Sequence, residues 1–422
     1  MREMKDSGVE WIGEIPIEWK ICKLKNIASI QTGNTPPKNV QSTFYSDESG
    51  TPWIKAEDLG KRDSISETKE YLTEDGKKEG RIFPANTVFV CCIASIGKTG
   101  FSEQECSCNQ QINGIIFNRM QWKYGYYMTL AQESEYIFNA SGNVMKIINT
   151  EKQGDLWCPL PTKCDQERIV NYLDGKCSKI DEIVEKQQAI IEKLKEYKLS
   201  IIMEAVTSGI NPDVEMKDSG SVWFGSIPIN WQMKRLKYVF HIQKDIAGEE
   251  GHTVLSITQR GIIPKDFSNN EGQFANSYAN YQLVHKGDFA MNHMDLLTGW
   301  VDISKYEGVT SPDYRVFVLN DKNGMCPEYY LYMMQMCYSA RIFYGLGQGV
   351  SGMGRWRLQA DKFLNFHIPI PPYDEQKIIA DYITDKVNHI EVEIDKRNKL
   401  VEKYQEYKKS LIYEVVTGKK EV

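Results

Sequence analysis

The 422 residues predict an α+β protein: two mixed α/β blocks joined by two long paired helices, forming a pseudo-two-fold and nearly circular internal repeat. Three observations carry that expectation. "MKDSGVEWIGEIPIEW" (Met4 to Trp19) returns as "MKDSGSVWFGSIPINW" (Met216 to Trp231), with 11 of 16 positions identical at an offset of 212. "CPLPTKCDQERIVNYL…AVTSG" (Cys158 to Gly209) returns at an offset of 210 as "IPIPPYDEQKIIADYI…VVTGK" (Ile368 to Lys419). The chain is also too long for one ordinary hydrophobic core. Matched signals at nearly equal offsets mean a duplication of about half the chain.

The second repeat is a helix with a seam. Cys177, Ile180, Val184, Gln187, Ile191, Leu194, Lys198 and Ile201 are spaced alternately three and four apart, and six of the eight are apolar. Adding 210 gives Val387, Ile390, Ile394, Arg397, Val401, Tyr404, Lys408 and Leu411, again six of eight apolar. The polar interruptions coincide, Gln187 with Arg397 and Lys198 with Lys408. A mean spacing of 3.5 over four heptads is coiled-coil geometry. About 39 residues at 1.5 Å each span roughly 58 Å, wider than a small domain, so the two helices are expected to pair with each other. A polar residue in the seam can fix register or be a tolerated flaw.

Prolines 159, 161, 369, 371 and 372 exclude helix just upstream. Gly209 with Pro212 stops the first helix and Gly418 the second. In the first block "NTVFVCCIAS" and "QINGIIFN" read as strands and "WKYGYYMTLAQESEYIF" as helix. In the second, "GDFAMNHM" and "YRVFVLN" read as strands, followed by the helix "PEYYLYMMQMCYSARIF". Between the repeated ends the residues barely match. Similar frames with different contents suggest two different targets. Trp11, Trp19, Trp223 and Trp231 recur with the frame and are expected to be core anchors.

Composition narrows the class. Hydrophobic residues make up 41% and charged residues 26%, ordinary for a globular protein, and no window approaches a membrane span or a secretory signal. Ten cysteines without CxxC pairs and six scattered histidines offer no metal-ligand spacing. Reduced thiols and a cytoplasmic location are expected. The net charge of −6 gives no support to nucleic-acid binding, yet patches rather than averages bind phosphate.

Three stretches imitate catalytic motifs. "ASIGKTG" (Ala94 to Gly100) has the end of a P-loop, but Cys92 stands where its first glycine is needed. "IPPY" (Ile370 to Tyr373) lacks the Asn or Asp that an amino-methyltransferase uses to accept from its target amine. "GLGQGVSGMG" (Gly345 to Gly354) follows a predicted helix, not a strand, and reads as a loop rather than a dinucleotide or S-adenosylmethionine cradle. No catalytic residue, resident cofactor or metal ligand is assigned.

The doubled "G-x-I-P-x-x-W" entry (Gly13, Ile15, Pro16, Trp19; Gly225, Ile227, Pro228, Trp231) and the doubled "P-x-P…(D/E)-Q" exit with Gln166 and Gln376 resemble the specificity subunit of type I restriction–modification systems. So do "GNTPPK", "TPWIKAEDLG" and "ASIGKTG…NQQING" in the first block, and "MNHMDLLTGWVDIS" and "TSPDYRVF" in the second. The resemblance covers essentially the whole chain. It implies target-recognition domains at 1–160 and 211–370, a central conserved helix at 161–210 and a distal one at 371–422, the helices pairing antiparallel. Each domain would read one half of a split double-stranded DNA target. Two modification (methyltransferase) subunits and the restriction (translocase/endonuclease) subunits would be partners. S-adenosylmethionine, ATP and Mg would sit on those partners, leaving this chain non-catalytic and away from membranes. A rod near 58 Å equals roughly 17 base pairs, so it could set half-site spacing.

DNA contacts need Lys or Arg for phosphate and Arg, Asn or Gln for base edges. Candidates in the first block are Lys55, Lys98, Asn109, Gln110 and Gln111. Ordinary solvated lysines are an equal reading of the first two, and a turn an equal reading of the three amides. In the second block they are Arg260, Asn292, His293, Tyr314, Arg315, Arg355 and Arg357. Arg355 and Arg357 flank Trp356, and "RLQADKF" is also the plausible counterpart of "KIINTEKQGDL" in the frame. His293 leans towards a structural role. The rival reading of the whole chain is a coiled-coil adaptor joining two protein partners without reading DNA.

Overall fold

The structure is a computed structural model that describes residues 2–37, 41–60, 63–142, 145–267, 275–349 and 356–422. Arg355, Lys38 of "GNTPPK" and residues 350–354 of the glycine-rich loop lie outside the described residues. The chain forms two compact units, residues 1–189 with 397–422, and residues 190–396.

In the first unit the repeated entry is a hairpin, Met4–Asp6 against Glu14–Pro16 with Met4 opposite Pro16. Strand Lys20–Lys23 then pairs antiparallel with the exit strand Trp157–Leu160. Between them lies an antiparallel sheet in the order Thr99–Ser102, Thr87–Cys91, Ile112–Phe117, Ala28–Thr32. Period-two alternation makes strand Thr87–Cys91 serve two cores. Val88 and Val90 pack with Tyr124, Tyr127 and Met128 of helix Trp122–Ala131, whereas Phe89 and Cys91 pack with Ile54, Phe83 and Cys108. The second of those cores sits under a five-stranded sheet, Tyr45–Ser46, Tyr71–Leu72, Thr51–Ile54, Cys106–Cys108, Ile82–Phe83, whose third and fourth strands are parallel.

The second unit repeats the frame strand for strand. Met216–Asp218 pairs with Ser226–Pro228, Met216 opposite Pro228, and Gln232–Arg235 pairs with His367–Ile370. The sheet order Val301–Ile303, Phe289–Met291, Arg315–Leu319, Phe240–Gln243 is that of the first unit, covered by helix Pro327–Ser339. The two-core strand recurs as well: Phe289 and Met291 face one cluster, Ala290 another. The insert does not recur. In place of the five-stranded sheet the described residues hold two strand pairs, Leu255–Thr258 with Gly261–Pro264 and Gln282–Val284 with Gly308–Thr310, joined by one parallel bridge between Val254 and Val309.

The long helices are Lys163–Ser208 and Tyr373–Val416, 46 and 44 residues, longer than the seam requires because each begins directly after its proline exit. Both end before a left-handed glycine, Gly209 (φ +76°) and Gly418 (φ +75°). A Cβ on Gly418 would lie 2.3 Å from Pro16 Cδ, so only glycine closes that turn. Packing partitions the chain across the helices rather than at their ends. Leu411, Ile412, Val415 and Val416 join Ile169, Val170 and Leu173 in the first unit's core, and Ile202, Ala205 and Val206 join Ile379, Ala380 and Ile383 in the second's.

Within each unit the helix segments run antiparallel. In the first, Lys408 reaches both carboxylate oxygens of Asp181 at 2.7 Å, and Arg397 Nη1 donates to Gln187 Oε1 at 2.8 Å. In the second, Lys198 pairs with Glu391 at 2.6 Å around the cluster Ile191, Ile201, Ile390, Ile394 and Leu194. Cys177, Ile180, Val401 and Leu411 are buried, and Val184, Val387 and Tyr404 half-buried.

Of the four tryptophans expected in the core, Trp19 and Trp231 are fully enclosed and Trp11 is half-buried. Trp223 departs from the expectation at 42% exposed: its loop lies at the surface, and its ring edge rests against Gly345. "ASIGKTG" is a tight turn with Gly97 at φ +86°, running into strand Thr99–Ser102 rather than a helix N-terminus, so no crown of helix N–H groups forms for phosphate. All ten cysteines are free thiols. Among the described residues no helix is long and apolar enough to cross a membrane.

Candidate nucleic-acid interface

The five first-block candidates share one end of the two sheets. Lys55 follows strand Thr51–Ile54, whose Ile54 carbonyl accepts from Asn109 N at 3.1 Å. Lys98 Nζ donates to Ala56 O at 2.8 Å, and Gln111 O accepts from Cys92 N at 2.8 Å, tying the remaining turns to the same place. Much of their polar capacity is already used. Lys55 pairs with Glu70 at 2.6 Å and lies 5.0 Å from the Trp53 ring. Asn109 Oδ1 caps Gln111 N and its amide donates to Gln111 Oε1, so the triple amide is a turn. Gln110 and Gln111 stay exposed, Gln110 bonded to the Thr35 hydroxyl. Arg81 was not singled out by sequence, yet its exposed guanidinium bonds Thr32 O and its backbone N–H bonds Asn34 in the same cluster. No local motif marks it, because strand pairing alone brings it there.

Asn292, His293, Tyr314, Arg315 and Arg357 gather near the ends of two adjacent strands, whereas Arg260 lies in the turn of another strand pair. Met291 opposite Arg315 places Asn292 and His293 beside Tyr314 and Arg315. Leu358 N donates to His293 O at 3.0 Å, which draws in Arg357. Asn292 Oδ1 caps Met294 N, and its carbonyl accepts from Tyr338 Oη at 2.6 Å. Arg260 is exposed in the turn between Leu255–Thr258 and Gly261–Pro264, and the neighbouring Gln259 reaches Thr298 O at 3.3 Å. Tyr314 is half-buried, its carbonyl held by Gln282. Gln348 and Arg357 exchange both backbone hydrogen bonds across the base of the glycine-rich loop, and Trp356 Nε1 donates to Tyr344 O at 2.7 Å.

Arg315 requires a correction. It was expected to meet DNA directly, but it is 5% exposed, with Nη2 on Leu358 O at 2.9 Å and its guanidinium 5.2 Å from the Phe363 ring centre. Burial lowers its pKa to about 10. His293 is pushed down to about 4, by burial first and then by Arg315 and Arg357. It is therefore neutral at physiological pH.

Sequence reasoning missed the bonds that close the frame. Tyr124 Oη faces Pro159 O at 3.3 Å and Val416 O at 3.0 Å; Tyr329 Oη faces Pro369 O at 3.0 Å and Val206 O at 3.2 Å. Gln166 donates to Pro161 O and accepts from Gln121 N; Gln376 donates to Pro371 O and accepts from Cys326 N. Each tyrosine binds an exit strand to the end of the other long helix, and each glutamine binds the exit to the start of the covering helix.

This duplicated frame has known counterparts. The model of the type I restriction modification DNA specificity domain matches residues 16–196 and again 228–403. The chain belongs to that family. It is 27% identical over 246 residues to the type I restriction enzyme MjaIX specificity subunit of Methanocaldococcus jannaschii, covering 55% of this chain and 54% of that one, so it spans about half the length of this relative. To the MjaVIII specificity subunit of the same organism it is 23% identical over 96% of this chain and 93% of that one. A chain from a structural study of complex assembly and conformational transition in the type I R-M system shares its fold, with a TM-score of 0.65 at 12% identity over 95% of this chain and 98% of that chain.

Proposed function

We propose that this chain is the non-catalytic, sequence-reading subunit of a DNA adenine modification and restriction complex. Each block reads one half of a bipartite duplex target. The paired helices hold the half-sites at a set separation and recruit two methyltransferase subunits, and restriction subunits join them. S-adenosylmethionine, ATP and Mg belong to those partners.

One observation carries this reading: the bonds that close the frame are copied between the units, whereas the strands inserted between them are not. A frame under identical constraint with divergent contents is what two readers of different sequences require. Base readout depends on side-chain identity and direction at the groove, while the carrier must keep its geometry. The test is to express the chain with its methyltransferase subunits and sequence the methylated adenines of the host DNA. A two-part motif with a fixed spacer is expected. Methylation without any bipartite motif would sink the proposal.

A further inference from the structure

The second unit buries a cation that the carboxylates among its described residues leave uncompensated. Arg315 Nη1 is enclosed without a hydrogen-bond partner, and among the described residues no carboxylate lies within ion-pair distance of the guanidinium. Buried arginines are ordinarily paired, because an isolated charge in a low-dielectric interior is costly. The contacts Arg315 does make, a donor to Leu358 O and a cation over the Phe363 ring, supply no counter-charge. A neutral amide could supply the first of them.

The surroundings point to where the balancing charge comes from. Leu358 is held at both backbone groups, by His293 O and by Arg315, so Arg357 is fixed one residue away from the carbonyl that the buried guanidinium grips, while its own side chain is exposed. Arg357 likewise has no carboxylate partner among the described residues. His293 Nδ1 is a further enclosed atom without a partner, on a ring that both arginines face electrostatically. Two guanidiniums without a carboxylate partner among the described residues, one buried and one at the surface, lie near the base of the glycine-rich loop.

We propose that Arg315 and Arg357 form a phosphodiester site: a DNA backbone phosphate seats on Arg357 and balances the charge of Arg315 beneath it. This rests on the DNA-reading function above. It also changes the role of Arg315 from a base reader to a buried electrostatic anchor that is blind to sequence.

The experiment measures duplex affinity against salt for the full chain assembled with its methyltransferase subunits. The probe is a duplex carrying the motif recovered from the methylated DNA. Each phosphate neutralised by the protein contributes about one unit to the slope of log K against log salt. Arg315→Gln, which keeps a donor but no charge, is expected to flatten the slope by about one unit, and Arg315→Lys to leave it unchanged. Arg357→Gln is expected to flatten it similarly, with the sequence preference intact. A wild-type slope in Arg315→Gln, or the same change in Arg315→Gln and Arg315→Lys, overturns the site and leaves a structural arginine. Should Arg315→Gln not fold, the exposed Arg357→Gln decides, and an unchanged slope there overturns the site. If the wild-type complex shows no salt-dependent duplex binding, the DNA-reading function itself fails.

Discussion

The two units close their frames with the same residues but finish the joint differently. Trp19 is 1% exposed and its indole donates to Asp165 at 3.0 Å, while Arg2, Arg168 and Thr162 converge on the same carboxylate. Trp231 is fully buried too, yet its indole N–H has no partner among the described residues. The counterpart of Asp165 is Glu375, which accepts from Asn230 instead, and the counterpart of Arg168 is the exposed Ile378. One added methylene has redirected a carboxylate. The comparison teaches that a duplicated frame conserves shape and backbone bonding first, and lets polar detail drift where water or a neighbour can absorb it.

The largest test of the comparison concerns contents rather than joints. Replacing residues 20–157 with the corresponding block of another family member should change one half of the methylated motif completely and leave the other half and the spacer alone. Methylated-adenine sequencing reads both halves at once. Changes in both halves would show that the units do not read independently.

Next come the anchors. Trp19→Ala and Trp231→Ala each empty a core site, and each should cost about 3–5 kcal/mol of unfolding free energy. The phenylalanine variants separate the joints. Trp19→Phe leaves a buried carboxylate short of one donor and should cost about 2 kcal/mol more than packing alone. Trp231→Phe removes a donor that is already unsatisfied and should show the packing term only. Denaturant titrations of the two variants side by side would settle the order, and equal costs would mean the Asp165 bond contributes nothing.

Why so much of the frame could be read from sequence, and so little of the interface, follows from what each depends on. Exit prolines, capping glycines and seam are local patterns, and the copy confirmed each independently. The two-core strand was legible as an apolar run, "TVFVC", though not which residue faced which core. The seam partners Gln187 and Arg397 were visible as matched interruptions, and they meet one another. Arg315 was not legible as a buried group, because its position in "YRVFVL" alternates with apolar residues, and only the covering segment at Leu358 to Phe363 decides its burial. Arg81 and Tyr124 depend on pairings far apart in sequence, for which a single chain carries no signal.

The joint of the first unit should also be the more acid-sensitive. Burial alone would raise the Asp165 pKa, but hydrogen bonds from Arg2, Arg168, Trp19 and Thr162 outweigh it and hold the carboxylate well below the usual range. A depressed folded-state pKa contributes stability that is fully present above the unfolded value of about 4 and drains as pH falls through the folded one. Asp165→Asn should therefore lower stability by about 2 kcal/mol at pH 7 and flatten the decline below pH 4. Thermal melts of the two proteins between pH 2.5 and pH 7 would converge at the acid end. Parallel curves would place the acid sensitivity elsewhere.

The smallest contrast lies in the seam, where the same interaction occurs twice under different exposure. Lys408 holds both oxygens of Asp181 with the two side chains 26% and 19% exposed, whereas Lys198 meets one oxygen of Glu391 at 31% and 53%. The partners are copies of one another at an offset of 210, so identity is nearly constant and burial is the variable. Less water around the first pair strengthens its Coulomb attraction, and removing its lysine strands a mostly enclosed aspartate. Around the second pair solvent screens the interaction and can take over from it. Lys408→Met should cost about 1–2 kcal/mol, and Lys198→Met no more than about 0.5 kcal/mol, with the methionine stem retaining the lysine's apolar packing in both. Repeating both measurements in 0.5 M salt sharpens the contrast, because only the exposed pair should lose its remaining contribution. Equal costs at low salt would mean that chemical identity, and not enclosure, governs the polar positions of this seam.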